Sequence, residues 1–284
     1  MRCALKTIVL VFVVILTTVP LLLGQETPLN PEELNARAER VITRLEGTLE
    51  RFKMLTYSSE NGVNIPYRFF EPENCEDGKV YPLVVYLHGS GGRGSDNIRQ
   101  VSGGNIWGAR IWLLSENQRS FPCFVIAPQS STEDFAWTKE ELAILKTLLD
   151  QMIQNFSIDK NRIYVTGQSM GGYGAWLMLT TYPELIAAGV PVCGGGQPEK
   201  AGAIVKNNVG IWAFHGSNDP AVPVEKSREM IEAIEEAGGK PLYTEYPGVG
   251  HASYKGAYTE KGLLSWLFSQ KKTVSADNKK VLNK

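Results

Sequence analysis

Along this chain, short apolar runs rich in β-branched and aromatic residues alternate with stretches whose apolar positions recur every three or four residues. Leu55-Thr56-Tyr57 and Ile65-Pro66-Tyr67-Arg68-Phe69-Phe70 flank the turn sequence Glu60-Asn61-Gly62 and predict two opening strands joined as a hairpin. Tyr81-Pro82-Leu83-Val84-Val85-Tyr86-Leu87, Phe124-Val125-Ile126-Ala127-Pro128 and Ile163-Tyr164-Val165-Thr166 show no apolar/polar alternation, as expected of strands buried on both faces of a parallel sheet. Three more runs follow: Ala188-Gly189-Val190-Pro191-Val192-Cys193, Val209-Gly210-Ile211-Trp212-Ala213-Phe214 and Tyr243-Thr244-Glu245-Tyr246. The first of these is the weakest strand, because Pro191 has no N–H to give a ladder.

Helical spacing fills the intervals. Asn30-Pro31-Glu32-Glu33 is a helix start, followed by Leu34, Ala38, Val41, Ile42, Leu45 and Leu49; this helix is either packed on the main domain or a spacer leading into it. Thr138-Lys139-Glu140-Glu141 is a capping box that opens a helix with Leu142, Leu145, Leu148, Leu149, Met152, Ile153 and Phe156 on one face. Further helices are expected from Met170 to the stop at Pro183, between Pro223 and Ala237 with Gly238 as C-terminal cap, and over 263–268. Strands and helices in this alternation predict an α/β fold with a mostly parallel central sheet covered on both faces.

The candidate chemistry lies where strands end. At Gly167-Gln168-Ser169-Met170-Gly171-Gly172 a strand stops at glycine, a serine follows and a helix begins, which predicts a nucleophile elbow with Ser169 on a strained corner. A serine hydroxyl needs a base oriented by a carboxylate. Beyond the elbow, Asp219 stands in the turn His215-Gly216-Ser217-Asn218-Asp219-Pro220, and His251 in Gly248-Val249-Gly250-His251-Ala252 after the last strand. Leu87-His88-Gly89-Ser90-Gly91-Gly92 is a strand running into a glycine-rich turn whose N–H groups can face a ligand; no Lys-Ser/Thr follows, so it is not a P-loop. The N–H of Ser90, with Gly91 as alternative, and that of Met170 are the expected oxyanion donors. His88 and His215 read as structural histidines, and Trp107, Trp137 and Gln168 are expected to line the substrate pocket.

From roughly residue 55 to 270 the chain resembles the α/β-hydrolase superfamily. Within it the resemblance is to the esterase/peptidase branch related to polyhydroxybutyrate depolymerases, feruloyl esterases, dienelactone hydrolases and prolyl-oligopeptidase catalytic domains. The matching pieces are 87–97, Ala127-Pro128-Gln129, 167–174, 215–219 and Gly250-His251. The resemblance implies a serine hydrolase with Ser169, His251 and Asp219 as its triad, acting on carboxylic esters. A peptidase of the prolyl-oligopeptidase type would share these motifs, although there is no room here for a propeller domain; a non-catalytic binding module on the same fold is a further alternative. Lids in this fold commonly enter between nucleophile and acid, where 194–208 accommodates one short helix near 199–206. An uncapped cleft is therefore expected, walled by 89–122 and 130–137 and able to admit an ester attached to a bulky or polymeric group.

Composition narrows the remaining choices. A chain of 284 residues, 43% hydrophobic with net charge −1, suits one large domain and implies neither nucleic acid nor an anionic membrane as partner. Its three histidines show no metal-ligand spacing, so no metal and no organic cofactor is expected. Residues 1–24, with Arg2 and Lys6 before an apolar run broken by Thr17, Thr18 and Pro20, read as a secretory signal peptide. Export to a secreted or periplasmic location follows, with membrane contact only if that segment stays uncleaved. The domain plan is then a signal over 1–24, an accessory helical segment over 25–54, the catalytic domain over 55–270 and a basic disordered tail over 271–284. Of the cysteines left after cleavage, Cys75 and Cys123 could pair in an oxidising compartment.

Overall fold

The structure, a computed structural model, describes residues 28–272 except 74 and 135; the signal reading of 1–24 and the tail from 273 onward lie outside the described residues. All eight anticipated strands form: β1 (Lys53–Ser58), β2 (Asn64–Phe70), β3 (Tyr81–Leu87), β4 (Phe124–Pro128), β5 (Ile158–Gln168), β6 (Ala188–Val192), β7 (Gly210–Gly216) and β8 (Leu242–Tyr246). They make one sheet in the order β1-β2-β4-β3-β5-β6-β7-β8. The opening hairpin pairs Tyr57 with Ile65, and β2 runs antiparallel to β4; every other neighbouring pair is parallel. Pro191 is accommodated in β6 because the ladder to β7 passes from the Gly189/Ile211 pair to the Val192/Phe214 pair, so the missing N–H falls in a gap.

The helices are α1 (Pro31–Glu46), α2 (Ile106–Arg110), α3 (Ser115–Ser120), α4 (Lys139–Asn155), α5 (Met170–Thr181), α6 (Ala201–Lys206), α7 (Glu225–Glu236), α8 (Tyr254–Ala257) and α9 (Leu263–Ser269). Successive strand residues point to opposite faces, so the sheet feeds two cores. Leu83, Val85, Ile126, Ile163 and Val165 pack under α4, α5, α6 and α7, whereas Val84, Tyr86, Val125 and Tyr164 pack under α1, α2, α8 and α9. Between β6 and β7 the described chain holds a 3-10 turn at Pro198–Lys200 and the short α6, the size anticipated for an uncapped enzyme.

Helix α1 belongs to the second core. The Asn30 side chain accepts the Glu32 and Glu33 N–H groups and Glu33 reaches back to the Asn30 N–H, the capping box its sequence predicts. Leu34, Ala38 and Leu45 are buried, and the Arg110 guanidinium donates to the Leu45 and Glu46 carbonyls at the helix C-terminus, both at 3.4 Å. Burial brings the Arg110 guanidinium down to about 10. The proposed Cys75 to Cys123 bridge is not formed: both thiols are free, Cys75 at the surface and Cys123 in the core, where burial pushes it up to about 12.

The position of α5 is dictated by backbone contact. A Cβ on Gly171 would overlap the Leu87 carbonyl oxygen, and one on Gly167 would overlap Gly171 O. The helix therefore meets the ends of β3 and β5 at a separation only glycine permits.

Two outcomes follow. Leu34→Ala and Leu45→Ala should each lower unfolding free energy by about 2–4 kcal/mol in urea titration, the cost of an unfilled core site; no change would make α1 a mere spacer. Gly171→Ala should cost more than about 3 kcal/mol in the same measurement, because the opposing atoms are backbone and cannot rotate away.

Candidate active site

Ser169 sits between β5 and α5 with φ 55° and ψ −120°, a conformation that costs a non-glycine residue about 1–3 kcal/mol. Backbone bonds hold it there: its N–H donates to Val192 O of β6 at 3.0 Å, and its carbonyl accepts from the Tyr173 N–H at 3.0 Å. The corner lifts the hydroxyl clear of the sheet edge and leaves Met170 as the first helical residue, whose N–H has no intrahelical acceptor.

The loops after β7 and β8 meet above the same edge. Asn218 N–H donates to Val249 O at 3.0 Å and ties the turn holding Asp219 to the turn holding His251. His251 Nδ1 is 2.7 Å from Asp219 Oδ2, and its Nε2 is 2.9 Å from Ser169 Oγ. Since a carboxylate only accepts, Nδ1 carries the hydrogen and Nε2 is left as an acceptor for the serine hydroxyl. The other carboxylate oxygen, Oδ1, accepts the N–H groups of Ala221 at 2.8 Å and Val222 at 3.0 Å. The Asp219 side chain is wholly shielded from solvent while that of His251 is 31% exposed, so the acid is dry and the base can reach a ligand. Burial alone would raise the Asp219 carboxyl. Hydrogen bonds from His215, His251 and the Val222 and Ala221 N–H groups outweigh it and hold the group well below the usual carboxylate range.

The glycine-rich turn after β3 is braced from beneath. His88 is fully buried; its Nε2 accepts the Ser130 N–H at 2.9 Å, which leaves Nδ1–H to donate to Gly89 O at 2.8 Å. Burial lowers this imidazole to about 4, so it stays neutral in that tautomer. Asn105 Oδ1 takes the Gly89 N–H at 2.9 Å and the Tyr86 hydroxyl at 3.1 Å. With Gly89 N–H engaged and Gly92 N–H bonded to Gly89 O, Ser90 and Gly91 are the turn residues placed toward the ligand space, and both line it.

That space is an open groove of about 390 Å³ over Ser169 and His251. Its other lining residues are Gly89, Arg99, Ser102, Gly103, Gly104, Asn105, Gln168 and Tyr254, and among the described residues no aliphatic side chain lines it. Gln168 lies where expected and donates through Nε2 to Gly104 O at 2.9 Å. Trp107 and Trp137 do not. Trp107 is 4% exposed in the core beneath α1, and Trp137, 2% exposed, gives its indole N–H to His88 O at 3.2 Å and packs against the His88 ring at a tilt. Both rings are large apolar surfaces that gain more from the core than from a wet groove. The 89–122 segment does wall the groove, through glycines and polar residues; none of the described residues of the 130–137 loop is in the lining.

Arg99, Ser102, Asn105 and Tyr254 were not anticipated. Tyr254 carries a signal in retrospect: three residues beyond His251, it lies one helical turn along the same face. Asn105 carries none, because its role depends on a turn sixteen residues away. Cys193, Asp219 and His251 also bring ligating atoms within 4.8 Å of one another. As a metal site this set is poor. Burial pushes the Cys193 thiol up to about 12, and the carboxylate is saturated by donors.

The phospholipase/carboxylesterase family model matches residues 114–258, a span containing Ser169, Asp219 and His251. Poly(3-hydroxyalkanoate) depolymerase C of Paucimonas lemoignei is 32% identical over 127 residues, 40% of this chain and 28% of that protein. A probable feruloyl esterase C of Aspergillus niger is 27% identical over 187 residues, 65% of this chain and 66% of that one. Among solved structures, a thermostable esterase is 40% identical with a TM-score of 0.73, covering 79% of this chain and 64% of the other. The chain thus spans less than two thirds of each of these relatives. An eight-stranded sheet of this topology and a family match covering half the sequence lead to one assignment: this chain belongs to the phospholipase/carboxylesterase family of α/β-hydrolases.

Proposed function

We propose that the protein hydrolyses carboxylic esters through an acyl-enzyme, with Ser169 as nucleophile, His251 as general base and acid, and Asp219 as the group that orients His251. The observation carrying this reading is the single imidazole bridging Ser169 Oγ at 2.9 Å and Asp219 Oδ2 at 2.7 Å. In the first half-reaction Ser169 Oγ attacks the acyl carbon as its proton passes to His251 Nε2. The carbonyl oxygen, now an oxyanion, accepts from the N–H groups of Met170 and of Ser90 or Gly91. Collapse of the tetrahedral species expels the alcohol, which takes the proton from His251. Water then repeats the sequence against the acyl-enzyme and frees the acid and Ser169. Because Asp219 is held below the usual carboxylate range, it stays ionised well into acid, and loss of its charge is not what sets the acid limb of the rate profile.

The groove favours a polar, hydroxyl-rich alcohol, and its openness suits an alcohol that is part of a polymer. Arg99, Ser102 and Tyr254 line the groove with side chains that can hydrogen-bond the hydroxyls of such an alcohol. We further propose export, on the strength of the basic start and apolar run of residues 1–24; among the described residues no helix is long and apolar enough to cross a membrane. The division into signal, helical segment, catalytic domain and basic tail is proposed on the same footing.

A fluorophosphonate probe should label Ser169 and no other residue, and an unlabelled folded protein would overturn the mechanism. Ser169→Ala should abolish measurable turnover, and Asp219→Asn should lower kcat by about four orders of magnitude. For one acetyl group carried on a sugar and on an alkyl alcohol, kcat/KM should favour the sugar. Arg99→Ala should erase several-fold of that preference through KM, and equal values in both enzymes would refute the polar-alcohol assignment.

A further inference from the structure

His215, at the end of β7, is fully buried and yet bonds to more than backbone. Its Nδ1 lies 2.7 Å from Ser227 Oγ on α7, and Ser227 Oγ is in turn 3.0 Å from Gly194 O. Its Nε2 lies 3.0 Å from Val222 O and 3.3 Å from Asp219 Oδ2. Both groups facing Nε2 are acceptors, so Nε2 bears a hydrogen. In the neutral ring, Nδ1 accepts the Ser227 hydroxyl. In a protonated ring, Nδ1–H would donate to Ser227 Oγ and the hydroxyl would turn to Gly194 O. The partners serve either form, and in both the Nε2–H is bonded to Val222 O with Asp219 Oδ2 also within its reach.

We infer that His215 is a positioning residue for Asp219, a fourth donor that fixes the carboxylate plane and through it the aim of His251 at Ser169. The inference rests on the triad reading above. Oδ1 is held by two backbone N–H groups and Oδ2 by the His251 imidazole on the ligand side, while His215 Nε2, shared with Val222 O, stands 3.3 Å from Oδ2 on the core side. Remove the core-side imidazole and Oδ2 keeps His251 alone, so nothing resists its tilting toward the groove.

The other groups around the site leave this role to His215. Glu245 of β8 lies across the ladder, but Arg228 of α7 pairs with it at 2.6 Å and the Tyr243 hydroxyl donates to it at 2.9 Å. The Cys193 thiol and the Tyr173 hydroxyl, which also sense Asp219, are both raised by burial and remain neutral. The carboxylates that His215 feels are thus Asp219 and an already paired Glu245.

The test compares His215→Met, which fills the space without a donor, with His215→Gln, whose amide N–H can take the place of Nε2–H. The Met variant should lose about tenfold in kcat with KM within about twofold, the loss of one hydrogen bond to a charged group. The acid limb of its kcat/KM profile should move to higher pH, because a carboxylate with fewer donors attracts a positive charge in the site more strongly. The Gln variant should recover most of both effects. A Met variant with wild-type kcat and an unmoved limb would overturn the inference, as would a Gln variant no better than Met. Should the Met variant not fold, Ser227→Ala decides: a smaller drop with the limb displaced in the same direction supports the role, and an unchanged profile refutes it. Fluorophosphonate titration of the wild-type protein runs alongside, since failure to label Ser169 would count against the triad itself rather than against His215.

Discussion

The approach of α5 to the end of β3, where Gly171 meets the Leu87 carbonyl with no space for a methyl group, is the contact on which the site depends. It sets the depth of the helix N-terminus against the sheet and forces the chain through the corner at Ser169. The strain at Ser169 is offset by its two backbone hydrogen bonds and by the packing of an almost entirely buried helix behind it. The same approach sets Met170 beside the turn after β3. Two N–H donors from distant parts of the chain can then face one oxygen only because two backbones touch.

A second constraint is electrostatic. Asp219 has to be dry to act strongly on His251, and a dry carboxylate is tolerated only where every lone pair is engaged. Two of its donors are backbone groups of its own turn, and two are imidazoles on opposite sides of the carboxylate. The lowered protonation point records that these bonds more than compensate burial. Asp219 is thereby enclosed while His251 stays partly open to the groove, an asymmetry on which the proposed proton transfer rests.

The large aromatic residues near the site act from below it. Trp137 braces His88, His88 braces the turn that carries Ser90 and Gly91, and Trp107 fills the core under α1. The ligand surface above them is built instead from glycines, small polar residues, Arg99 and Tyr254. The aromatic support below and the ligand surface above are thus built from different residues, and the relatives of the chain named here are a poly(3-hydroxyalkanoate) depolymerase and a probable feruloyl esterase.

The sequence by itself determined the eight strands, the helices α1, α4, α5, α6, α7 and α9, and the residues that meet at the sheet edge, but not the short helices α2, α3 and α8. Uninterrupted apolar runs can only be strands covered on both faces, capping boxes mark helix starts through local hydrogen bonds, and a serine between Gly167 and Gly171 tolerates few backbone paths. Ser169, Asp219 and His251 were legible because each stands just past a strand end, and parallel strands bring such ends together. What only the tertiary structure decided concerns side chains whose roles depend on distant neighbours. Trp107 and Trp137 read as pocket walls because a loop position suggests exposure, and only packing shows them buried. Cys75 and Cys123 read as a possible pair because sequence gives no burial, yet one lies outside and the other in the core. Asn105 holds Gly89, and His215 lies against Asp219 and Ser227, through contacts that no local pattern encodes. Local interactions select secondary structure and backbone corners, whereas the direction in which a buried polar side chain spends its hydrogen bonds is fixed by whichever partners the fold delivers.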